Sequence, residues 1–296
     1  MRVAVVDIGT NSTRLLVADV GADGVRAVER RSIVTRLGEG LEATGELGEV
    51  PRARVLAALD EYAAAMDEHA VRARTGVLTS AVRDATNGAA FTAQVRERYG
   101  IDAATISGDE EARLTFLGAT SAREGDEPVL VVDIGGGSTE LVAGSGSGVS
   151  FHCSTQVGVV RHSERHGEAL GALRADAGAV LREALPMEVP RRVIAVAGTA
   201  TMAAAMDLEL EPYDADRVEG HELAADTLSA LLDRLAALPL SERRTVPGLH
   251  PDRAPTIVAG LAILLEVLDA AGADRVTVSD RDILYGRALE AGSERA

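Results

Sequence analysis

The chain has no lysine, a single cysteine and no apolar run long enough to cross a bilayer. With only Cys153 present, an intramolecular disulfide and a cysteine-cluster metal site are both excluded, and the residue reads as a small buried side chain. Apolar stretches such as Ile257 to Leu268 are interrupted by Gly260 and Glu266 and fall short of the roughly 20 residues a spanning helix needs. The sequence opens on the strand-like run Val3-Ala4-Val5-Val6 with no basic n-region or cleavage site, which predicts a cytoplasmic protein. Every formal positive charge is an arginine, read here as compositional drift rather than selection for bidentate phosphate recognition.

What is abundant is acid. Thirty basic residues against 46 acidic ones leave a formal charge of −16, a field that repels nucleic acid and anionic membranes and predicts neither as a partner. A polyanionic substrate would have to be held locally, by arginines, backbone N–H groups and metal. The 296 residues, 46% of them apolar, suffice for one large domain or two ordinary ones.

An internal repeat chooses two. Val5-Val6-Asp7-Ile8-Gly9-Thr10-Asn11-Ser12-Thr13-Arg14-Leu15 aligns without gaps on Val131-Val132-Asp133-Ile134-Gly135-Gly136-Gly137-Ser138-Thr139-Glu140-Leu141, with three of eleven positions different. A spacing of more than a hundred residues is too long for a solenoid and predicts two related α/β domains, each opening with strand, glycine turn and strand. The expected boundaries are 1–122 and 123–296, with a connector at Ser121 to Pro128.

Between the repeats, extended chain is expected at Val25 to Leu37, Thr75 to Thr79 and Ala103 to Ser107. Further strands are expected at Val129 to Asp133, Leu141 to Ala143, Val193 to Ala197 and Arg275 to Ser279. Helices are expected at Arg52 to Glu68, with Val55, Leu56, Leu59, Tyr62 and Met66 on one face, and at Arg161 to Leu185, Glu222 to Leu238 and Thr256 to Ala270.

Chemistry concentrates in the turns. Gly9, Thr10, Asn11 and Ser12 offer successive N–H groups and two hydroxyls to a phosphate oxygen, although an ordinary hairpin has the same composition. The second loop is more specific: Gly135, Gly136 and Gly137 allow close backbone approach and Ser138 and Thr139 add donors. Asp133 and Glu140 place hard oxygen ligands suited to Mg2+ at either end. In Ser107-Gly108-Asp109-Glu110-Glu111, capping-box spacing gives Glu110 a structural task and leaves Glu111 to position and deprotonate a water, or else to be a solvated helix glutamate. Thr79 to Asp84 and Gly198-Thr199-Ala200-Thr201 each join a strand to a helix N-terminus, and Arg83 adds a guanidinium able to fork onto phosphate. The histidines, among them His162, His166, His221 and His250, show no metal-ligand spacing with a partner acid and read as structural or surface residues.

These motifs, in this order and with Gly158-Val159-Val160-Arg161, Ala197-Gly198-Thr199, Pro247 to Ala254 and Val278-Ser279-Asp280, resemble the exopolyphosphatase and guanosine pentaphosphate phosphohydrolase family over almost the whole chain. The resemblance implies the actin-like fold of the sugar kinase, heat-shock chaperone and actin superfamily: two ribonuclease-H-like α/β domains with an active-site cleft between them. It further implies Glu111 as the base and Asp133, Glu140 and Asp7 as ligands of Mg2+, with Mn2+ as an alternative. Phosphate binding is implied for both glycine loops, Arg83, Gly198 and Thr199. A homodimer is implied, as is a last helix, about 282–296, packing back onto the first domain. Longer relatives carry C-terminal helical domains that this chain lacks, and the family's usual second glycine before Thr199 is here Ala197. The substrate so implied is inorganic polyphosphate, probed against guanosine pentaphosphate; a small-molecule kinase and a non-catalytic nucleotide-binding scaffold are the readings from other classes.

Overall fold

A computed structural model describes residues 1–22, 24–123, 125–146 and 148–293; Glu124 of the expected connector and residues 294–296 of the expected last helix lie outside the described residues. The chain forms two compact units, one of Met1–Ser121 together with the segment from Asp282 onward, the other of Ala122–Arg281.

The first unit begins with β1 (Arg2–Ile8), β2 (Ser12–Gly21) and β3 (Gly24–Val34), then α1 (Leu41–Thr44), α2 (Glu49–Glu68), β4 (Ala73–Leu78), α3 (Ser80–Asp84), α4 (Gly88–Tyr99), β5 (Asp102–Thr105) and α5 (Gly108–Thr120). Its sheet runs β3-β2-β1-β4-β5, antiparallel within the first three strands and parallel from β1 to β4 to β5. Because β1 is central, both of its faces are apolar: Ala4, Val6 and Ile8 pack with α2 residues Val55, Leu59, Tyr62 and Met66, while Val3 and Val5 face the opposite layer.

The second unit contains β6 (Val129–Ile134), β7 (Thr139–Ser145), β8 (Gly148–Thr155), α6 (Val159–His166), α7 (Leu170–Ala184), β9 (Val193–Val196), α8 (Ala197–Asp207), α9 (Ala215–Val218), β10 (Glu222–Ala224), α10 (Ala225–Ala237), α11 (Leu240–Arg243), α12 (Ile257–Ala271) and β11 (Arg275–Val278). Its sheet order is β10-β11-β9-β6-β7-β8. Setting aside β10, the path β8-β7-β6-β9-β11 repeats the order, and the parallel and antiparallel senses, of the first sheet. The repeated motif is thus the visible part of a repeated topology, and the chain has the actin-like α/β fold. A last helix, α13 (Ile283–Ser293), belongs to the first unit: Leu284, Tyr285 and Ala288 cover Val3, Val5, Leu16 and Ala18 on the face that α2 leaves open.

Three local expectations are corrected. Arg161 to Leu185 is two helices, because Gly167 takes φ 53°, ψ −122° as α6 ends. Glu222 to Ala224 is a strand rather than the first turn of a helix, since it pairs with the edge of β11; three residues are too few to show a period. Cys153 is half-buried on edge strand β8 instead of fully enclosed. Among the described residues no helix is long and apolar enough to cross a membrane.

Candidate active site

In the first unit the strand ends of β1 and β4 bring the expected residues together. The turn from β1 to β2 closes with Gly9 N–H donating to the Ser12 carbonyl at 3.0 Å. A side chain on Gly9 would stand 3.2 Å from that same oxygen. The carbonyls of this loop face a strap that the sequence reading missed: Thr35 and Arg36 N–H donate to Asn11 O at 3.0 and 2.9 Å, and Gly38 N–H to Thr10 O at 2.9 Å. Tying the carbonyls on one side leaves amide hydrogens for the other, the arrangement that holds an anion. Thr10, Asn11 and Ser12 are all buried, and among the described residues the Asn11 side-chain amide nitrogen has no hydrogen-bond partner.

Asp7, next to last in β1, lies directly opposite Arg14 of β2. Arg14 donates from Nε and Nη2 to Asp7 Oδ2 at 2.8 and 2.6 Å, and from Nη1 to Asp282, the residue that opens α13. Asp7 Oδ1 is buried with no hydrogen-bond partner among the described residues, and burial, only partly offset by Arg14, raises the carboxyl pKa. A buried acceptor in that state is suited to a cation or a proton. Arg14 and Asp282 escaped the sequence reading. The signal available was that Arg14 is one of the three positions where the two repeats differ.

Arg83, on α3, and Glu111, in the first turn of α5, meet. Arg83 Nη1 donates to Glu111 Oε2 at 2.9 Å and to the Ile106 carbonyl at 3.1 Å, while its Nε and Nη2 make no hydrogen bond among the described residues. Glu111 is 7% exposed, and its Oε1 has no hydrogen bond among those residues either. Burial pushes its pKa up to about 7 against the pull of Arg83, and Asp7 adds a smaller push in the same direction. Glu110 diverges as its neighbour's spacing requires. Its N–H caps onto Ser107 Oγ at 3.2 Å, but its carboxylate pairs with Arg113 at 2.8 Å, so only half of the capping box forms.

The second unit repeats the loop. Gly135 N–H donates to Ser138 O at 2.9 Å, and a Cβ on Gly135 would again sit 3.2 Å from that oxygen. Here the N-terminus of α6 holds the carbonyls: Val159 N–H to Gly135 O at 3.0 Å, Val160 N–H to Gly136 O at 2.8 Å, and Arg161 Nε to Gly137 O at 2.9 Å. Gly158 makes this approach possible, since a Cβ there would lie 2.4 Å from Gly136 O. Thr139 donates its hydroxyl to Val157 O at 2.6 Å, so that hydrogen is committed and is not offered to a phosphate oxygen.

Where the first unit pairs Asp7 with Arg14, the second pairs Asp133 with Glu140, in register across β6 and β7. Both acids are buried, and Glu140 Oε1 also accepts from Ser154 Oγ at 2.9 Å. Directly opposed side chains share one face of a sheet, so the two carboxylates lie side by side. The donor set is all hard oxygen and fits Mg2+. At the start of α8, Ala197 sits at φ +62°, a left-handed conformation that costs a non-glycine residue about 1–2 kcal/mol and that explains why glycine suits this position. Gly198 is crowded by Arg253, whose guanidinium carbon would be 2.8 Å from a Cβ, and Thr199 packs against Gly260 of α12.

The histidine reading is corrected by partners from other elements, which spacing along one segment does not reveal. His221 meets Asp207 at 2.8 Å; His166 meets Asp176 of α7 at 2.8 Å, with His162 Nε2 3.7 Å from the same oxygen. Burial lowers the His162 pKa and keeps its ring neutral at pH 7.

The model of the Ppx/GppA phosphatase family matches residues 16–287. The chain belongs to this family. It is therefore an enzyme of the phosphoanhydride-hydrolase class. It is 37% identical to exopolyphosphatase 2 of Mycobacterium tuberculosis, over 97% of this chain and 98% of that protein. Among solved structures, an exopolyphosphatase-like protein superposes with TM-score 0.91 at 33% identity, covering 99% of this chain and 98% of the other. A Ppx/GppA family member from Aquifex aeolicus gives 0.81 at 28% identity, covering 100% and 98%.

Proposed function

We propose that this Ppx/GppA enzyme is an exopolyphosphatase that releases terminal phosphate from inorganic polyphosphate of short chain length, with Glu111 as its base. The observation that carries the reading is the state of Glu111: buried, held by Arg83 through one oxygen, free at the other, with a pKa of about 7. A base whose pKa lies near working pH combines a useful deprotonated fraction with useful proton affinity. In this role Oε1 orients a water and takes its proton while Arg83 keeps the carboxylate from rotating.

Each unit offers its own phosphate-binding groups: in the first the amides of Gly9 to Ser12 and the free edge of the Arg83 guanidinium, in the second the amides of Gly135 to Ser138 and the turn at Gly198 and Thr199. In the second unit Asp133 and Glu140 would hold Mg2+, which supplies positive charge to the phosphoryl oxygens as negative charge builds on them, and in the first unit Asp7 Oδ1 is the acceptor suited to a cation. Amides and fixed arginines act without reorganising, which is where such sites gain most of their rate. The names of the relatives support polyphosphate as substrate.

The test is phosphate release from short-chain polyphosphate and from guanosine pentaphosphate, assayed side by side at matched terminal-phosphate concentration with and without Mg2+. Faster, Mg2+-dependent release from polyphosphate is expected. Faster release from the nucleotide would reassign the substrate, and release unaffected by chelation would remove the metal from Asp133 and Glu140.

A further inference from the structure

We propose that His162, His166 and Asp176 form a binding site for a transition-metal ion, best suited to Zn2+, on the second unit. His162 and His166 stand four residues apart on α6 and so share one face of the helix, with ring centroids 5.8 Å apart. Asp176 comes from the middle of α7. His166 Nε2 lies 2.8 Å from Asp176 Oδ2 and His162 Nε2 3.7 Å from it, and one ligand atom from each of the three residues falls within 4.8 Å of the other two.

The second observation is independent of that clustering. Among the described residues His162 Nε2 is buried without a hydrogen-bond partner, on a side chain only 2% exposed, and it is aimed at the cluster. A buried polar atom in that state calls for an occupant. Ligand atoms on a tetrahedral Zn2+ stand roughly 3–3.5 Å apart, so the three need only small side-chain rotations to close on one ion. Two imidazoles and one carboxylate are a borderline-soft set that favours Zn2+ over Mg2+, in contrast to the all-oxygen pair Asp133 and Glu140. Three protein ligands leave the fourth position to water.

Two groups compete with the ion. Arg165 Nη1 approaches Asp176 Oδ2 at 3.3 Å and must swing outward, which its exposed position allows. Gly158 N–H donates to His162 Nδ1 at 3.3 Å, which places the ring proton on Nε2 while the site is empty. Binding through Nε2 moves that proton to Nδ1 and gives up this one long hydrogen bond. Because Gly158 packs against the Gly136–Gly137 backbone, an ion here also acts on the turn that supports the second glycine loop.

The site does not depend on the proposed substrate, and its test reads binding rather than turnover. The full-length chain, kept in excess Mg2+, is titrated with Co2+ while the visible d–d absorption of tetrahedral cobalt is followed, and then with Zn2+. One Co2+ per chain is expected, displaced by Zn2+, with affinity falling roughly tenfold or more in His166→Gln and in Asp176→Asn. Glu164→Gln, on the exposed face of the same helix, should bind like the unmodified chain. Circular dichroism checks each variant, and Asp176→Asn keeps the shape of the site should His166→Gln fail to fold. Absence of tetrahedral cobalt absorption, or equal binding by all variants, overturns the proposal.

Discussion

A single side chain, Glu111, carries the largest conflict between stability and chemistry. Its carboxyl is more acidic in the unfolded chain than in the folded one, where burial raises the pKa to about 7. The folded state therefore binds the proton more tightly, and stability contributed by the neutral form is present below the unfolded value and lost as pH rises through about 7. The proposed role as base needs the opposite form. The plot of kcat/KM against pH should accordingly have an ascending limb near pH 7 that belongs to Glu111. Glu111→Gln should lose turnover by at least 100-fold, roughly the share of general base catalysis, while substrate binding survives and Tm above pH 7 rises. Stopped assays across pH, with thermal melts of both proteins, read all three. Near-normal turnover in the variant would remove Glu111 as the base, and a lower Tm would show that the buried charge was not costly.

At the scale of elements, what positions Glu111 is the contact of α5 with α13. The two helices cross where Gly118 and Gly286 stand, and a Cβ on Gly286 would lie 1.9 Å from Leu114 O, as would one on Gly118 from Asp282 O. In an exposed helix Gly→Ala gains about 1 kcal/mol from propensity. At Gly286 the backbone clash should reverse the sign, costing about 1–3 kcal/mol and lowering turnover, because α5 must shift to make room. Gly171 in α7, with open space around it, is the contrasting case, and Gly171→Ala should be neutral or slightly stabilising. Urea midpoints of the two variants make the comparison, and equal effects would mean that the crossing tolerates displacement. The family resemblance implied that the last helix returns to the first domain, as it does, but the glycine contact of α5 with α13 had no signal in the sequence. The loops could be read because glycine, serine and acid recur at fixed offsets from a buried strand, and the repeat doubled that signal. Asp282 and Arg14 meet across 268 positions, and the Thr35 to Gly38 strap acts through backbone atoms. Neither leaves a local pattern. The trio of His162, His166 and Asp176 shows both sides: the histidine spacing was present in α6, whereas the acid belongs to α7.

For the whole molecule the governing quantity is the charge of −16 against the proposed substrate, which is itself a polyanion. Arginines, amides and metal can hold the few phosphates nearest the scissile bond, because short-range contacts outweigh a diffuse field. On the proposed reading, each phosphate beyond them adds repulsion from the net-negative chain. Specificity should therefore fall with length: at low ionic strength and matched terminal-phosphate concentration, kcat/KM should be higher for short polyphosphates than for long ones. The origin of that preference is electrostatic, so salt distinguishes it from a steric one. Added monovalent salt shortens the screening length to about 8 Å at physiological strength, which relieves the long chains more than the short. The gap between chain lengths should narrow as salt rises. A gap that stays constant would point to shape rather than charge, and a preference for long chains at low salt would mean that the local arginines of this acidic protein reach further along the polymer than the fold of either unit suggests.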